Sequence, residues 1–176
     1  ISVGRESTIK RRELKDTINN LFKLSESRGK EAAGLIVKSD DSISVIKTPQ
    51  SASKMIKTKE YKTLLNSFFN KDFSNDNSLK NSITLVGHSR LVTDGAQEFH
   101  NNNQPVICDG AVGVHNGIVT NVDELWLEYQ HLNRSYEIDT EIIFKLLKYF
   151  LSLNHSLSDA IKLTFDKIYG TASIAV

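Results

Sequence analysis

The chain has 176 residues, of which 39% are hydrophobic and 24% are charged, which suits one domain with a sizeable core. Its 22 lysines and arginines nearly balance 21 aspartates and glutamates, so nucleic acid is not an expected partner. No apolar run reaches the about 18–20 residues of a membrane span, and the single cysteine excludes an internal disulfide and fits a cytoplasmic protein.

The first third of the chain is predicted to form a helix and a hairpin. Residues 10–26 repeat apolar side chains at helical spacing, which predicts an amphipathic helix. Its apolar face consists of Leu14, Ile18, Leu21 and Phe22. The run "AAGLIVKSDDSISVIK" follows, and its two β-rich halves predict a hairpin that turns at Asp40-Asp41.

A second helix and a loop are predicted next. Residues 58–70 carry an apolar stripe at helical spacing. The stripe consists of Tyr61, Leu64, Leu65, Phe68 and Phe69. The polar run at 71–81 predicts a surface loop.

The middle of the chain is predicted to be strand-rich. "SITLVGHSR" predicts a strand that leads into a long loop at 91–104 with little to bury, and strands at 105–108 and 111–115 follow. Long loops of this kind often carry function.

The last third is predicted to be mainly helical. Asn121 and Glu124 form a plausible capping pair for a short helix over 122–132, and a strong helix over 140–153 follows. Ser158 is predicted to cap a further helix that ends at Ile168, before Gly170 and a last strand. This order of elements predicts an α+β fold with helices packed on antiparallel sheets. Both ends of the chain read as strand, which suggests a fragment.

Asn116 and Gly117 interrupt the apolar run "GAVGVHNGIV". One interpretation is a two-residue hairpin turn, because both residue types tolerate positive φ. The other interpretation is a functional site.

Three polar residues near the ends of predicted elements have a structural interpretation each. Arg28 fits a cation at the end of the first helix, Arg90 fits a surface ion pair, and Asp139 fits an N-cap. Taken with the Asn-Gly pair, they also fit a site for a small amino acid. Such a ligand needs a guanidinium for its carboxylate, a carboxylate for its ammonium and amide donors for an oxyanion. The five histidines show no metal-ligand spacing, so no metal and no other cofactor is expected.

Five motifs resemble those of a known family: "RGKEAAGLIV", "GHSRLVTDG", "NNNQPV", "VHNGIVTN" and "DTEIIFKLL". Their order and approximate spacing are similar to those of the class II glutamine amidotransferases. These are the N-terminal-nucleophile glutaminase domains of glutamine–fructose-6-phosphate transaminase, amidophosphoribosyltransferase and asparagine synthetase. The resemblance implies that residues 1–176 are one such domain, truncated at both ends, with a four-layer αββα sandwich fold.

The resemblance implies a glutamine-binding set. Arg90 and Thr93 would hold the α-carboxylate, Asp94 would line the same pocket, and Asp139 would bind the α-amino group. Asp94 departs from the His, Ala or Gly that the family often has there. "NNNQPV" likewise stands where the family has Asn-Ala-His-Pro or Asn-Ala-Gln-Pro.

The catalytic set that the resemblance implies is incomplete in this chain. Asn116 and Gly117 would form the oxyanion hole, and Arg28 would organise the surroundings of the nucleophile. The family's nucleophile is an N-terminal cysteine, which is expected just upstream of Ile1. Cys108, the only cysteine present, reads as a small buried strand residue.

The function that the resemblance implies is hydrolysis of the side-chain amide of L-glutamine. The ammonia would pass to a synthase, or to a phosphosugar or phosphoribosyl acceptor domain, in the same or another chain, with sugar-phosphate amination slightly favoured. One alternative is a catalytically inactive glutamine-binding or regulatory domain, and another is an unrelated thiol hydrolase built on Cys108 and His115. No membrane partner is expected, and a homo-oligomer is left open.

Overall fold

The computed structural model describes residues 1–40, 42–74, 78–91 and 99–176. The chain divides into two units, Ile1–Val92 with Asn103–Pro105, and Thr93–Asn102 with Val106–Val176. Each unit has an antiparallel sheet and its own core of buried apolar side chains. The predicted α+β class is therefore confirmed.

The sheet of the first unit has four strands in the order β1-β4-β2-β3. They are β1 (Ser2–Val3), β2 (Ala32–Ser39), β3 (Ser42–Thr48) and β4 (Ile83–Arg90). All neighbouring strands are antiparallel. The β2–β3 hairpin pairs Ser39 with Ser42, which confirms the predicted hairpin.

Three helices belong to the first unit: α1 (Arg11–Ser25), α2 (Ala52–Met55) and α3 (Lys59–Asp72). Both long helices lie where apolar periodicity predicts them. On α1 the predicted face is too wide, because Leu21 is 49% exposed while the other three members are buried. The four-residue α2 is too short to produce a periodic signal.

The segment predicted as a surface loop at 71–81 is partly buried. Phe73 and Leu79 form an isolated β-bridge, and both side chains lie in the core. The Phe73 ring contacts that of Phe69 edge-on, with 5.6 Å between centroids. Burying two apolar side chains outweighs the polar character of the residues between them, so the prediction is wrong at these two positions.

The second unit has a three-stranded sheet in the order β5-β6-β7. The strands are β5 (Val106–Cys108), β6 (Ala111–Val119) and β7 (Gly170–Ala175). Asp109 and Gly110 have φ values of 48° and 78° and make the β5–β6 turn, as expected for a two-residue hairpin loop. The strand predicted over 111–115 continues to Val119.

Asn116 and Gly117 therefore lie inside a strand and not in a turn. They pair with Ser173 and Ala172 of β7. The hairpin-turn interpretation of this pair is wrong, because a partner strand from the end of the chain extends the ladder through both residues.

The helices of the second unit are α4 (Val122–Glu128), α5 (Thr140–Ser152) and α6 (Leu157–Lys167). The predicted inward face of α5 is confirmed, since all five of its members are buried: Ile142, Ile143, Leu146, Leu147 and Phe150. Among the residues that the structure describes, no helix combines the length and apolarity needed to cross a membrane.

The capping predicted for two helices is wrong, although α4 begins at Val122 as predicted. The Asn121 side chain makes no capping bond; it donates to the Lys167 carbonyl at 2.9 Å and accepts from the Tyr169 N–H at 2.8 Å. Helix α6 is capped by Ser156, whose hydroxyl oxygen accepts from the Asp159 N–H at 3.1 Å, and not by Ser158. At Asn121, these two partners from the later segment take the place of the capping bond.

Candidate functional site

Gly117 occupies a place on β6 that admits no side chain. Its φ is 151°, and a Cβ atom added there would collide with the carbonyl oxygen of Thr171 on β7. The Cα of Ala172 would lie 2.9 Å away. The neighbouring Asn116 side chain is exposed. Backbone packing alone thus requires the glycine, while the asparagine keeps its amide available to a ligand.

The carboxylate of Asp139 bonds to this strand. Its Oδ2 accepts a hydrogen bond from the Val119 N–H at 2.9 Å, two residues beyond Gly117. Its Oδ1 accepts from the Thr140 hydroxyl at 3.3 Å. Asp139 stands at the N-cap position of α5 but makes no side-chain capping bond. The N-cap interpretation is confirmed for the position of Asp139 but not for its side chain, because the carboxylate bonds to β6 and to Thr140.

His115 completes this arrangement from the buried side of β6. Its Nδ1 lies 3.2 Å from Thr140 Oγ1 and 3.6 Å from Asp139 Oδ1. The Thr140 hydroxyl donates a hydrogen bond to Asp139. The hydroxyl oxygen of Thr140 is therefore free to accept a hydrogen bond from a protonated His115 Nδ1. Sequence reasoning assigned neither His115 nor Thr140 to the glutamine site. The sequence feature that could have identified them is adjacency, because His115 precedes Asn116 and Thr140 follows Asp139.

The carboxyl group of Asp139 stays ionised despite being buried. Burial by itself would raise its pKa, but the close His115 imidazole and the hydrogen bond from the Val119 N–H outweigh burial. The pKa of Asp139 is therefore below its ordinary value. A buried carboxylate that is negative at neutral pH is suited to binding a cation such as an ammonium group.

Arg90 lies at the end of β4 in the first unit and is only 5% exposed. Its Nη1 donates to the side-chain oxygen of Asn103 at 2.9 Å. Lys47 Nζ donates to the carbonyl oxygen of the same asparagine at 3.0 Å. The surface ion-pair interpretation of Arg90 is wrong, because the guanidinium is buried against an amide.

The remaining predicted site residues are placed as follows. Arg28 is exposed and ends a short 3-10 turn, Glu26–Arg28, that follows α1. The next residue, Gly29, lies directly against the backbone of Arg90, where an added Cβ would collide. Thr93 and Asp94 lie outside the described residues. Arg28 and Arg90 belong to the first unit, and Asn116, Gly117 and Asp139 belong to the second.

Cys108 is buried in β5, as predicted. Burial raises the pKa of its thiol to about 11, although the positive charge of Lys145 acts in the opposite direction. A thiol with this pKa is protonated at neutral pH, so it is a poor nucleophile. The thiol-hydrolase interpretation therefore loses its reactive group.

Comparison with known proteins gives related sequences and structures. The chain is 27% identical over 153 residues to glutamine–fructose-6-phosphate aminotransferase (isomerizing) of Staphylococcus epidermidis, an alignment that covers 86% of the chain and 23% of that protein. It is 36% identical over 95 residues to the enzyme of the same name from Caulobacter vibrioides, covering 53% of the chain and 16% of that protein. No protein-family model matches.

Two solved structures share the fold over 98% of the chain and 33% of their own chains. One is glutamine phosphoribosylpyrophosphate amidotransferase from B. subtilis, complexed with ADP and GMP, with a TM-score of 0.65 and 22% identity. The other is described as the allosteric regulatory enzyme of purine biosynthesis, with a TM-score of 0.64 and 20% identity. The chain therefore shares the fold of these two structures. The chain spans about a quarter of the length of these curated relatives.

Proposed function

We propose that the chain is a glutaminase domain, which hydrolyses the side-chain amide of L-glutamine. The observation that carries the proposal is the ionised, buried Asp139, which is bonded to β6 two residues beyond Asn116 and Gly117. The Asp139 carboxylate bonded to β6 and the exposed Asn116 amide on β6 suit a substrate with an ammonium group at one end and an amide at the other. The named aminotransferases among the relatives support the same substrate.

Each proposed contact follows from charge and donor chemistry. Asp139 binds the α-ammonium group of glutamine, the Arg90 guanidinium and the Thr93 hydroxyl bind its α-carboxylate, and Asp94 lines the same pocket through its backbone. The Asn116 side-chain amide and the Gly117 N–H donate to the oxygen that becomes negative when the amide carbon is attacked. Donors of this kind act mainly on the transition state.

The proposed nucleophile is a cysteine that precedes Ile1 in the protein as the cell produces it, and Arg28 organises its surroundings. Its thiol gives its proton to the cysteine's own α-amine as the sulfur attacks the amide carbon, and the tetrahedral intermediate collapses to a γ-glutamyl thioester as the amide nitrogen takes up that proton and leaves as ammonia. Water then attacks the thioester, which releases glutamate and returns the thiol. The buried Cys108 does not fit this role, because its thiol is protonated at neutral pH.

The proposed acceptor of the ammonia is a sugar phosphate bound by a synthase or transferase domain outside this chain. The relatives named glutamine–fructose-6-phosphate aminotransferase favour this acceptor. A phosphoribosyl acceptor is the other outcome of an acceptor screen, in line with the name of one structural neighbour.

The test is ammonia and glutamate release from glutamine by the protein as the cell produces it. Asn116→Ala is expected to lower kcat by about 10²–10³, the usual cost of losing one oxyanion donor. Asn133→Ala, at an exposed loop asparagine, is the matched control and is expected to leave kcat unchanged.

A diazo-ketone analogue of glutamine identifies the nucleophile by peptide mass mapping. An adduct on a cysteine upstream of Ile1 would support the proposal. An adduct on Cys108 would overturn the mechanism. Absence of any adduct, with glutamine still bound, would replace the proposal by an inactive glutamine-binding domain.

A further inference from the structure

The segment Asn103–Pro105 lies against the sheet of the first unit at a glycine. In β2, Gly34 pairs with Lys47 on one side and with His88 on the other. A Cβ atom on Gly34 would collide with the Gln104 carbonyl and the Pro105 ring. The backbone of this segment therefore occupies the space that a side chain at position 34 would fill.

The strand register places two cations on either side of that glycine. Lys47 is opposite Gly34, which is opposite His88, and Arg90 is two residues beyond His88 on the same strand. Because side chains alternate along a strand, Lys47 and Arg90 share one face of the sheet. Both donate hydrogen bonds to Asn103. Arg90 donates to its side-chain amide oxygen at 2.9 Å, and Lys47 donates to its main-chain carbonyl oxygen at 3.0 Å.

Asn103 is fully buried, with 0% of its surface exposed. It therefore cannot exchange its hydrogen bond to Arg90 for one to water without local opening of the structure. Its amide is also neutral. An amide oxygen orients a guanidinium without cancelling its positive charge, whereas a carboxylate in the same place would compete with an anionic ligand.

We propose that Asn103 is a positioning residue for Arg90, fixing the guanidinium in the orientation that binds the α-carboxylate of the substrate. Lys47 supports it by donating to the Asn103 carbonyl, directly before the Gln104-Pro105 stretch that lies over Gly34. The inference rests on the proposed function, because it assigns Arg90 to the α-carboxylate.

The test compares two probes, one with the α-carboxylate and one without it; their other ends also differ, being a carboxylate in L-glutamate and an amide in 4-aminobutanamide. L-Glutamate, the product, carries this group and is not consumed; 4-aminobutanamide keeps the amine and the amide but lacks the α-carboxylate. Binding to the protein as the cell produces it is measured by ligand-observed NMR. Asn103→Ala is expected to raise the Kd of L-glutamate about tenfold and to change that of 4-aminobutanamide less than about twofold. Asn133→Ala is the control and is expected to change neither.

A double-mutant cycle separates positioning from a general structural effect. In an Arg90→Ala background, Asn103→Ala is expected to change L-glutamate binding less than about twofold, because the group it positions is absent. Equal losses for both probes, or the full loss in the Arg90→Ala background, would overturn the inference.

Failure of the proposed function is distinguishable from failure of the inference. If Arg90→Ala leaves L-glutamate affinity unchanged, the carboxylate assignment fails, and the inference fails with it. If Arg90→Ala weakens L-glutamate but Asn103→Ala does not, the inference alone fails. Should Asn103→Ala not fold, Lys47→Met decides: a loss of about threefold confined to L-glutamate supports the inference, and equal loss for both probes overturns it.

Discussion

Replacing three glycines of this chain by alanine separates backbone strain from steric collision. Gly4 has open space around it and no unusual φ; Gly110 has open space but a φ of 78°; Gly117 has a φ of 151° and a collision with the Thr171 carbonyl. The three positions therefore add one cost at a time. The comparison tests whether Gly117 is required by packing alone.

The expected magnitudes follow from those environments. Gly4→Ala is expected to change the free energy of unfolding by less than about 0.5 kcal/mol. Gly110→Ala costs about 1–2 kcal/mol, because an L-residue is forced to positive φ. Gly117→Ala carries a strain of about 1–3 kcal/mol and a further cost of about 1–3 kcal/mol for moving β7 away from the new methyl group. A total near 4 kcal/mol is expected at Gly117.

The assay is thermal unfolding followed by circular dichroism. For a chain of this size, 1 kcal/mol shifts Tm by about 2–4 °C, so Gly110→Ala is expected to lower Tm by about 3–6 °C and Gly117→Ala by about 8–16 °C. Equal shifts at Gly110 and Gly117 would refute the argument from close approach to β7. A large shift at Gly117 means that packing alone requires glycine there, so the glycine is no evidence for a catalytic role. The oxyanion proposal is therefore tested at Asn116.

Three further predictions concern ionisable groups. The depressed pKa of Asp139 stabilises the fold above the unfolded-state pKa of about 3.9, and this stabilisation is lost as pH falls through the lower folded pKa. The difference in unfolding free energy between the parent protein and Asp139→Asn is therefore expected to be constant from pH 5 to 7 and to shrink below pH 4. Urea titration measures this difference. Burial lowers the pKa of Lys47 to about 8, so the rate of its acetylation, followed by peptide mass mapping, is expected to rise with a midpoint near pH 8; a midpoint near the ordinary 10.5 would contradict the burial argument. Burial raises the pKa of Cys108 to about 11, so a thiol reagent at pH 7 is expected to react only after denaturation, and rapid labelling of the folded protein would show that the thiol is accessible.

Local patterns predict much of this fold. Apolar spacing identifies α1, α3 and α5, and the Asp40-Asp41 hairpin is correctly placed between two β-rich runs. These elements depend on residues that are close together in sequence. Exposed Leu21 marks the limit of the method, because periodicity does not tell where the edge of a buried face lies.

Three errors of prediction share a cause, which is a partner from a distant part of the chain. Asn116 and Gly117 have the composition of a turn, and pairing with β7 makes them strand residues. Asn121 has the pattern of a cap, and the segment around Lys167 and Tyr169 takes its hydrogen bonds instead. Asp139 bonds to Val119 of β6. Sequence spacing contains no information about such partners until the topology is known.

The candidate site was predicted less from pattern than from resemblance. Charge and donor chemistry suggest an amino-acid ligand, and the family motifs supply the individual roles. The supporting residues His115, Thr140, Lys47 and Asn103 were not assigned to the glutamine site, because their roles depend on which side chain lies beside them in the folded chain.

The close contact between Gly34 and Gln104-Pro105 has an evolutionary consequence. A mutation that adds a side chain at position 34 displaces the later segment, and with it Asn103. A lineage can accept such a mutation only together with a compensating change at 103–105. We therefore expect these two stretches, far apart in the gene, to covary among descendants of a common ancestor, with glycine retained at position 34 wherever the later segment keeps its path.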